Sequence, residues 1–475
     1  MRIFFALCLF TGFNLTVTAQ QKWNLATIVD YAMTNNINVK LSEVQAKVAA
    51  VNYRQSKLSQ YPSASFSTNA ALNSGSNQDP TTFSRITQTY LSSGMQLQSS
   101  ADIFNFYSKR NTIAANNWEL QAAQAGVDKT KNDIALTAAN AYLQVLLNRA
   151  QENITAVQIK QTSARLTDTR KKVNAGALPE LNATQLEAQL ALDSVNYLSA
   201  KGNTNQSILV LKSYMNIDAA APFELDEPPI DRIPVEPIAD LQPDYVYSLA
   251  IKNQPQQRYD DFKLKAAEKN MAAVKAVMYP TLSAFGSLGS SYNNQAQSVI
   301  TSTSFYPAIG TVSVSGTDYQ VFSTVPYKNN TYGKTNLTNQ LSDNFRQSVG
   351  ISISVPIFNG GSLRSNYERS KLNITTLQLQ KQQDDQTLKQ NIYQAYNAAL
   401  VAYQKFTAGK KSVDINELNL NYAQKRFDAG LLGTYDLITT QNNLLSAQLQ
   451  YLLDQFDYVF KMKVLEFYKG QGLKL

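Results

Sequence analysis

The chain of 475 residues contains no histidine and a single cysteine, Cys8. Cys8 sits within the first twenty residues, which read as a leader. Arg2 supplies a short basic start, Ile3 to Phe13 an apolar run, and Val17-Thr18-Ala19 the small residues of a cleavage site after Ala19. The apolar run falls short of the ~20 residues that a spanning helix needs, so an uncleaved anchor is the lesser alternative. Cys8 lies inside this run behind Leu7, an unsuitable context for lipidation. The mature chain then lacks both cysteine and histidine, which removes disulfides, thiolate nucleophiles, imidazole bases and most transition-metal sites. Only carboxylate chemistry survives, and no acid pair stands in a glycine-rich or aromatic setting that would suit a hydrolase. Long apolar runs are also missing after the leader, so no spanning helix follows. An exported chain of this kind either stays soluble or crosses an outer membrane as β-strands, because only helices and closed barrels satisfy their backbone groups in lipid. Charge is sparse at 16% of residues, with a net +8. The basic residues are scattered along helices and not clustered among aromatics, which argues against a nucleic-acid partner.

Proline is missing from two long stretches, between Pro80 and Pro179 and after Pro356. Proline costs a helix interior about 3 kcal/mol, so its absence permits very long helices. Ser108 to Asn174 and Ser362 to Asp428 each allow a rod of roughly 100 Å at 1.5 Å per residue. Gly126 is a weak point inside the first. Gly176 and Gly430 stand where C-caps belong, and helical patterns resume at Glu180–Tyr214 and Thr434–Tyr468, so the chain should turn back at each glycine. These helices carry Ala and modest apolar residues among Gln, Asn and Thr, without a heavy Leu/Ile stripe. Narrow seams of this kind suit the wall of a hollow cylinder; an ordinary antiparallel coiled coil is the plainer alternative.

Strand patterns follow Pro62 and Pro280. In Val349 to Val355 the apolar residues Val349, Ile351, Ile353 and Val355 alternate with Gly350, Ser352 and Ser354. Met95 to Gln98 alternates likewise, Ala64, Phe66, Thr68, Ala70 and Leu72 share one face of another strand, and Leu282, Ala284 and Leu288 mark a fourth. One apolar and one small polar face over about ten residues is the pattern of a membrane barrel. Four strands cannot close one, since about eight are the minimum. The barrel would have to be shared between copies.

The chain is also duplicated. At a shift of 218 residues, Ala32, Asn35, Tyr61 and Pro62 meet Ala250, Asn253, Tyr279 and Pro280; at 254, Ile103, Phe104, Asn105, Ala175 and Gly176 meet Ile357, Phe358, Asn359, Ala429 and Gly430. The difference of 36 is an expansion of one second-copy loop between Ser283 and Ser354, where Asn293–Asn344 is rich in Ser, Thr, Asn and Tyr. The expected organisation is a leader at 1–19; a first repeat at 20–214, with a β-hairpin at about 62–107 and a long helix pair at about 108–214; a proline-rich connector at 215–243; and a second repeat at 244–475, with a β-hairpin at about 280–357 and a helix pair at about 360–468. The fold class is mainly α with a small β part.

This order of elements resembles the TolC-like outer membrane efflux proteins, also called outer membrane factors. The resemblance rests chiefly on Val355-Pro-Ile-Phe-Asn-Gly-Gly-Ser-Leu-Arg364, on Arg426-Phe-Asp-Ala-Gly-Leu-Leu-Gly-Thr-Tyr-Asp-Leu437 and on the run from Ala32 to Tyr61-Pro62. It implies a homotrimer whose twelve strands form an outer-membrane barrel continuous with an α-helical periplasmic tunnel. It also implies lipid around the barrel, a periplasmic adaptor and an inner-membrane pump as partners, no cofactor and no catalysis. The hairpin tips at Gly176 and Gly430 would close the tunnel and meet the adaptor. Asp436 matches a first acidic-ring position; Thr439 stands at the second, Asn182 where the first copy often has an acid, Phe427 where a tyrosine lock can occur and Leu432 where an arginine can. A periplasmic helical-hairpin adaptor or scaffold is the competing reading.

Overall fold

The computed structural model describes residues 22–78, 83–226, 230 and 233–470. The expected leader, its cleavage point and Cys8 lie outside the described residues, as do Pro80, Pro228 and Pro229. In chain order the elements are α1 (Leu25–Asn35), α2 (Ile37–Leu58), β1 (Ser63–Gln78), β2 (Arg85–Phe104), α3 (Ser108–Asn174), α4 (Glu180–Met215), α5 (Pro243–Asn253), α6 (Pro255–Ala276), β3 (Thr281–Asn293), β4 (Gln297–Phe305), β5 (Ala308–Val314), β6 (Thr317–Phe322), β7 (Tyr327–Lys334), α7 (Leu337–Asp343), β8 (Arg346–Ser354), α8 (Ser362–Asp428) and α9 (Thr434–Lys469). The fold is mainly helical. The two 67-residue helices, α3 and α8, fill the proline-free stretches. The chain divides into two compact units, one of residues 1–51, 116–266 and 373–475, the other of 52–115 and 267–372.

The first unit is helical. Thr162 Oγ1 donates to Asp193 Oδ2 at 2.6 Å and Asn148 Nδ2 to the Asn203 carbonyl at 3.2 Å, which makes α3 and α4 an antiparallel hairpin. In α8 and α9 the equivalent packing is aromatic, with Phe406 stacked on Tyr451 and Tyr458 at 5.5 and 5.7 Å. The repeats meet at α4 and α9, where Gln189 and Asn442 exchange two amide hydrogen bonds of 3.3 Å. Helix α6 runs against α3, through a Trp118–Phe262 stack, and against α8, through the Lys381–Asp261 ion pair. The buried seam of α3 mixes alanines (Ala122, Ala125, Ala135, Ala138 and Ala139) with Val127, Ile134, Tyr142, Leu143, Val145 and Leu146. Small residues let helices approach closely without a wide apolar face.

The connector after Met215 is more than an extended link. Leu225, Ile233 and Leu241 are buried in the core. Trp23 and Leu225 form a parallel bridge, Tyr142 donates its hydroxyl to the Asp226 carbonyl at 2.7 Å, and Lys212 Nζ donates to the carbonyls of Ala219 and Ala221 at 2.8 and 2.6 Å. Farther on, Glu236 pairs with Lys469 at 2.8 Å and its backbone N–H donates to Glu466, itself paired with Lys463 in the buried interior. Six prolines disfavour helix and sheet; the Trp23 backbone and side chains from α3, α4 and α9 satisfy backbone groups left over.

The second unit is built on a four-stranded antiparallel sheet in the order β1-β2-β3-β8. β2 pairs with β3 from Ser92↔Asn293 to Phe104↔Leu282, with a bulge at Asp102/Phe104, so the sheet joins the two repeats. The second-copy segment 293–344 is expected as a loop, and here the structure differs. It holds two further antiparallel pairs, β4 with β7 and β5 with β6, and then α7. Alternating Val, Ile, Thr, Tyr and Ser satisfy strand preference, but turn residues interrupt them so often that the segment reads as loop.

Candidate functional site

The four-stranded sheet has two unlike faces, fixed by its register. Phe66 lies opposite Leu97, Leu97 opposite Leu288, Ala284 opposite Ile351 and Leu282 opposite Ile353. With Leu72, Leu91, Met95 and Val349 they make one continuous apolar face. It is bare: Val349, Ile351 and Ile353 are 90, 68 and 70% exposed. The other face carries Ser65, Ser67 and Asn69, then Gln96 and Gln98, then Ser287 and Gly289, and on β8 Arg346, Ser348, Ser352 and Ser354, in cross-strand rows. The ring of Phe285 is the one large apolar side chain of that side along β3, and it lies over Gly350, where a Cβ would come within 2.8 Å of it. Water on a face of Val and Ile, with Ser and Gln on the reverse, inverts the pattern of a soluble sheet covered on its apolar side. Lipid on one side and water on the other suits it.

Aromatic rings cluster at the end of the sheet where β1 and β3 begin. Phe104 contacts Phe106 and Tyr107 at centroid distances of 5.0 and 5.8 Å, Phe106 stacks on Tyr279 at 4.9 Å, and Tyr61 is exposed nearby in sequence, just before β1. An aromatic girdle at a membrane interface has this composition. Among the described residues, β1 and β8 each pair along one side only, so both edges of the sheet are open.

The helical tips are two copies of one turn. Asn174 ends α3, Gly176 takes φ +74°, its N–H donates to the Val173 carbonyl at 2.9 Å, and that of Ala177 reaches the Lys172 carbonyl at 2.9 Å. At the end of α8, Gly430 repeats φ +74°, with Gly430 N–H to Phe427 at 2.9 Å and Leu431 N–H to Arg426 at 2.8 Å. This is a Schellman cap, and the positive φ is why glycine stands at both.

The remaining sequence-picked residues surround these caps. Asp436 lies exposed in the first turn of α9, its Oδ2 3.7 Å from where a Gly433 Cβ would sit. Thr439 is exposed one turn on, its hydroxyl donating to the Tyr435 carbonyl at 2.9 Å. Phe427, Leu432 and Asn182 are half-buried, and Asn182 N–H donates to the Pro179 carbonyl at 3.1 Å. Among the described residues no hydrogen bond or ion pair joins these five side chains to one another.

Sequence reading missed the charged contacts beside the tips. Arg170 pairs with both Glu180 and Glu187 across the first hairpin. The second copy places Gln424, Thr434 and Gln441 at those positions, and each has a buried polar side-chain atom without a hydrogen-bond partner. Arg165 is half-buried; burial pulls its guanidinium below the usual arginine value, and Asp428 opposes this. The distance of Arg170 and Glu180 from Gly176 was a usable signal, because a hairpin cap makes residues on either side of it face each other.

The family profile for outer membrane efflux protein matches residues 246–461. The toluene efflux pump outer membrane protein TtgC of Pseudomonas putida is 21% identical over 448 residues, covering 90% of this chain and 81% of that protein. The chain is thus similar to outer membrane efflux proteins, by profile over its second half and at low identity over most of its length. Solved structures of outer membrane proteins share its fold. The CmeC outer membrane channel of Campylobacter jejuni superposes with a TM-score of 0.72 at 18% identity, covering 95% of this chain and 86% of that one. The outer membrane protein VceC of Vibrio cholerae gives 0.72 at 15% identity, covering 95 and 97%. The chain therefore shares the fold of these proteins, mainly helical with a small β part. Among its described residues no group of three or more His, Cys, Asp or Glu is arranged to hold a metal ion, and no helix is long and apolar enough to cross a membrane.

Proposed function

We propose that this protein is the outer-membrane exit duct of a tripartite efflux or type I secretion system, a passive conduit that docks a periplasmic adaptor and an inner-membrane pump. The observation that carries the reading is the four-stranded sheet with a bare apolar face, a polar reverse and two open edges. One copy cannot close a barrel; pairing β8 of one copy with β1 of the next, three times, closes twelve strands with every backbone group bonded. The relatives named as efflux pump outer membrane proteins support it. A periplasmic adaptor would have no use for a lipid-facing sheet. The first 19 residues act as the export leader, the two repeats and their connector are the building units, and the energy for transport comes from the pump.

Within this reading the tips at Gly176 and Gly430 are where the adaptor docks and the tunnel narrows. Asp436 from three copies forms the charge filter at that narrowing, with Thr439, Phe427, Leu432 and Asn182 shaping it. Three carboxylates around a narrow axis draw cations and resist joint ionisation. The purified protein is expected to have the mass of a trimer in detergent and to conduct ions in a planar bilayer. A monodisperse monomer that stays in solution without detergent would refute the proposal.

A further inference from the structure

The second-copy insertion supplies a surface that nothing among the described residues covers. β5 and β6 form a hairpin around Ser315-Gly316, both at positive φ, +52° and +84°. Such a two-residue turn matches the strand twist and locks the register. Val312 then lies opposite Tyr319, Gly310 opposite Val321 and Val314 opposite Thr317; on the reverse Thr311 faces Gln320 and Ser313 faces Asp318. The hairpin is thus amphipathic over Thr311–Gln320, with Phe322 a large apolar side chain of its reverse face, at the open end. Val312, Val314, Tyr319 and Val321 are 48, 54, 57 and 41% exposed. Among the described residues, β5 pairs only with β6. A two-stranded hairpin alone is marginally stable in water, so an ordered one with a bare apolar face needs a cover.

We infer that the cover is the same hairpin of neighbouring copies, so that the insertions of a trimer pack against one another beyond the barrel. This rests on the trimeric duct proposed above. Four strands at ~4.8 Å, tilted about 40°, set successive copies roughly 25 Å apart around the barrel. β4 has nine residues, an arm of about 30 Å, and the β5–β6 hairpin follows it. Arms longer than their spacing come within reach of each other. Charge does not oppose the contact. Asp318 is the only charged residue from Ala308 to Phe322, and over 294–345 two lysines, Lys328 and Lys334, balance Asp318 and Asp343. A lipid headgroup surface would call for a cationic patch, which this neutral hairpin lacks.

The test uses the full-length protein, whose only cysteine is Cys8 in the leader. Val312→Cys on the apolar face and Thr311→Cys on the polar face are purified in detergent, sized, and exposed to a mild oxidant. Both should be trimers, and Val312→Cys should form disulfide-linked pairs at least about tenfold faster than Thr311→Cys, because only the packed face brings two Cα atoms within disulfide range. The double variant Val312→Ser/Val321→Ser should remain trimeric at low temperature and dissociate in SDS at a lower temperature than the parent. Trimers in which Val312→Cys fails to cross-link and labels with maleimide as fast as Thr311→Cys would overturn the inference while leaving the duct intact. Protection of Val312→Cys only on adding lipopolysaccharide vesicles would overturn it in favour of a lipid partner. Loss of the trimer in the parent protein would instead remove the duct proposal on which it rests.

Discussion

Ile351 offers the sharpest test of whether the sheet meets lipid. It lies in β8 with Val349 and Ile353 on the same face, opposite Ala284 of β3. Two-thirds of its surface is bare, so replacing it by arginine creates neither a cavity nor a clash. In water such a surface change stays within about 0.5 kcal/mol and would aid solubility. At the middle of a lipid-facing strand, arginine costs about 2–4 kcal/mol. Since 1.4 kcal/mol is tenfold, insertion should weaken roughly 30- to 700-fold per chain. Ser352→Arg is the control, one residue on and on the opposite face, paired with Ser283. Refolding from urea into phospholipid vesicles, read as the fraction of chain inserted across a urea series, compares the two. Ile351→Arg should shift to lower urea while Ser352→Arg stays near the parent. Equal behaviour of the two variants, or better recovery of Ile351→Arg in buffer alone, would refute a lipid-facing sheet.

Four further outcomes follow from the helical unit. Asp260 is 8% exposed, and Gln256 Nε2 bonds both its oxygens, at 2.9 and 3.1 Å, and Asp384 Oδ2 at 3.1 Å. Burial first, then the charges of Asp384 and Asp385, against the Gln256 bonds and Lys129, raise it to about 6. A carboxyl raised above its unfolded value of about 4 contributes stability that is complete below that pH and fades as pH rises through about 6, worth about 3 kcal/mol. Asp260→Asn should therefore flatten the melting temperature between pH 4 and 7 and raise it at pH 7.5; an unchanged slope would exclude this carboxyl as its source. Gly126→Ala should stabilise the protein by about 0.5–1 kcal/mol, since its Cβ would meet the Tyr259 ring at an ordinary 3.5 Å; a lower melting temperature would mean that α3 and α6 pack too tightly there to admit a methyl. Gly430→Ala should cost about 1–2 kcal/mol from its positive φ, seen as faster hydrogen exchange confined to the second tip. Asp436→Asn should reduce cation preference in planar bilayers, measured by reversal potential in a salt gradient, and an unchanged potential would remove it from the filter.

Some of this was legible from residue order alone. Proline exclusion leaves two stretches where nothing stops a helix, and α3 and α8 run through them. Gly176 and Gly430 mark the turns because only glycine takes a positive φ without cost, and duplication marks the same event twice. The alternation at Val349–Val355 gives a strand with one apolar face, since side chains of a strand point alternately to either side. The 293–344 insertion was misread because its strands are short, pair within the insertion, and are broken by turn residues that look like loop.

Patterns of period and punctuation are local, so the sequence by itself determined long helices, their caps and a two-faced strand. It left open whether that apolar face was covered. Only the tertiary structure decided that β2 pairs with β3 across the repeats, that the face stays bare and both edges stay open, and that Arg170 closes on two glutamates in the first tip while polar atoms go unbonded in the second. These depend on residues far apart in the chain, and register between distant segments is set by the summed packing of many side chains, which no single stretch of sequence displays.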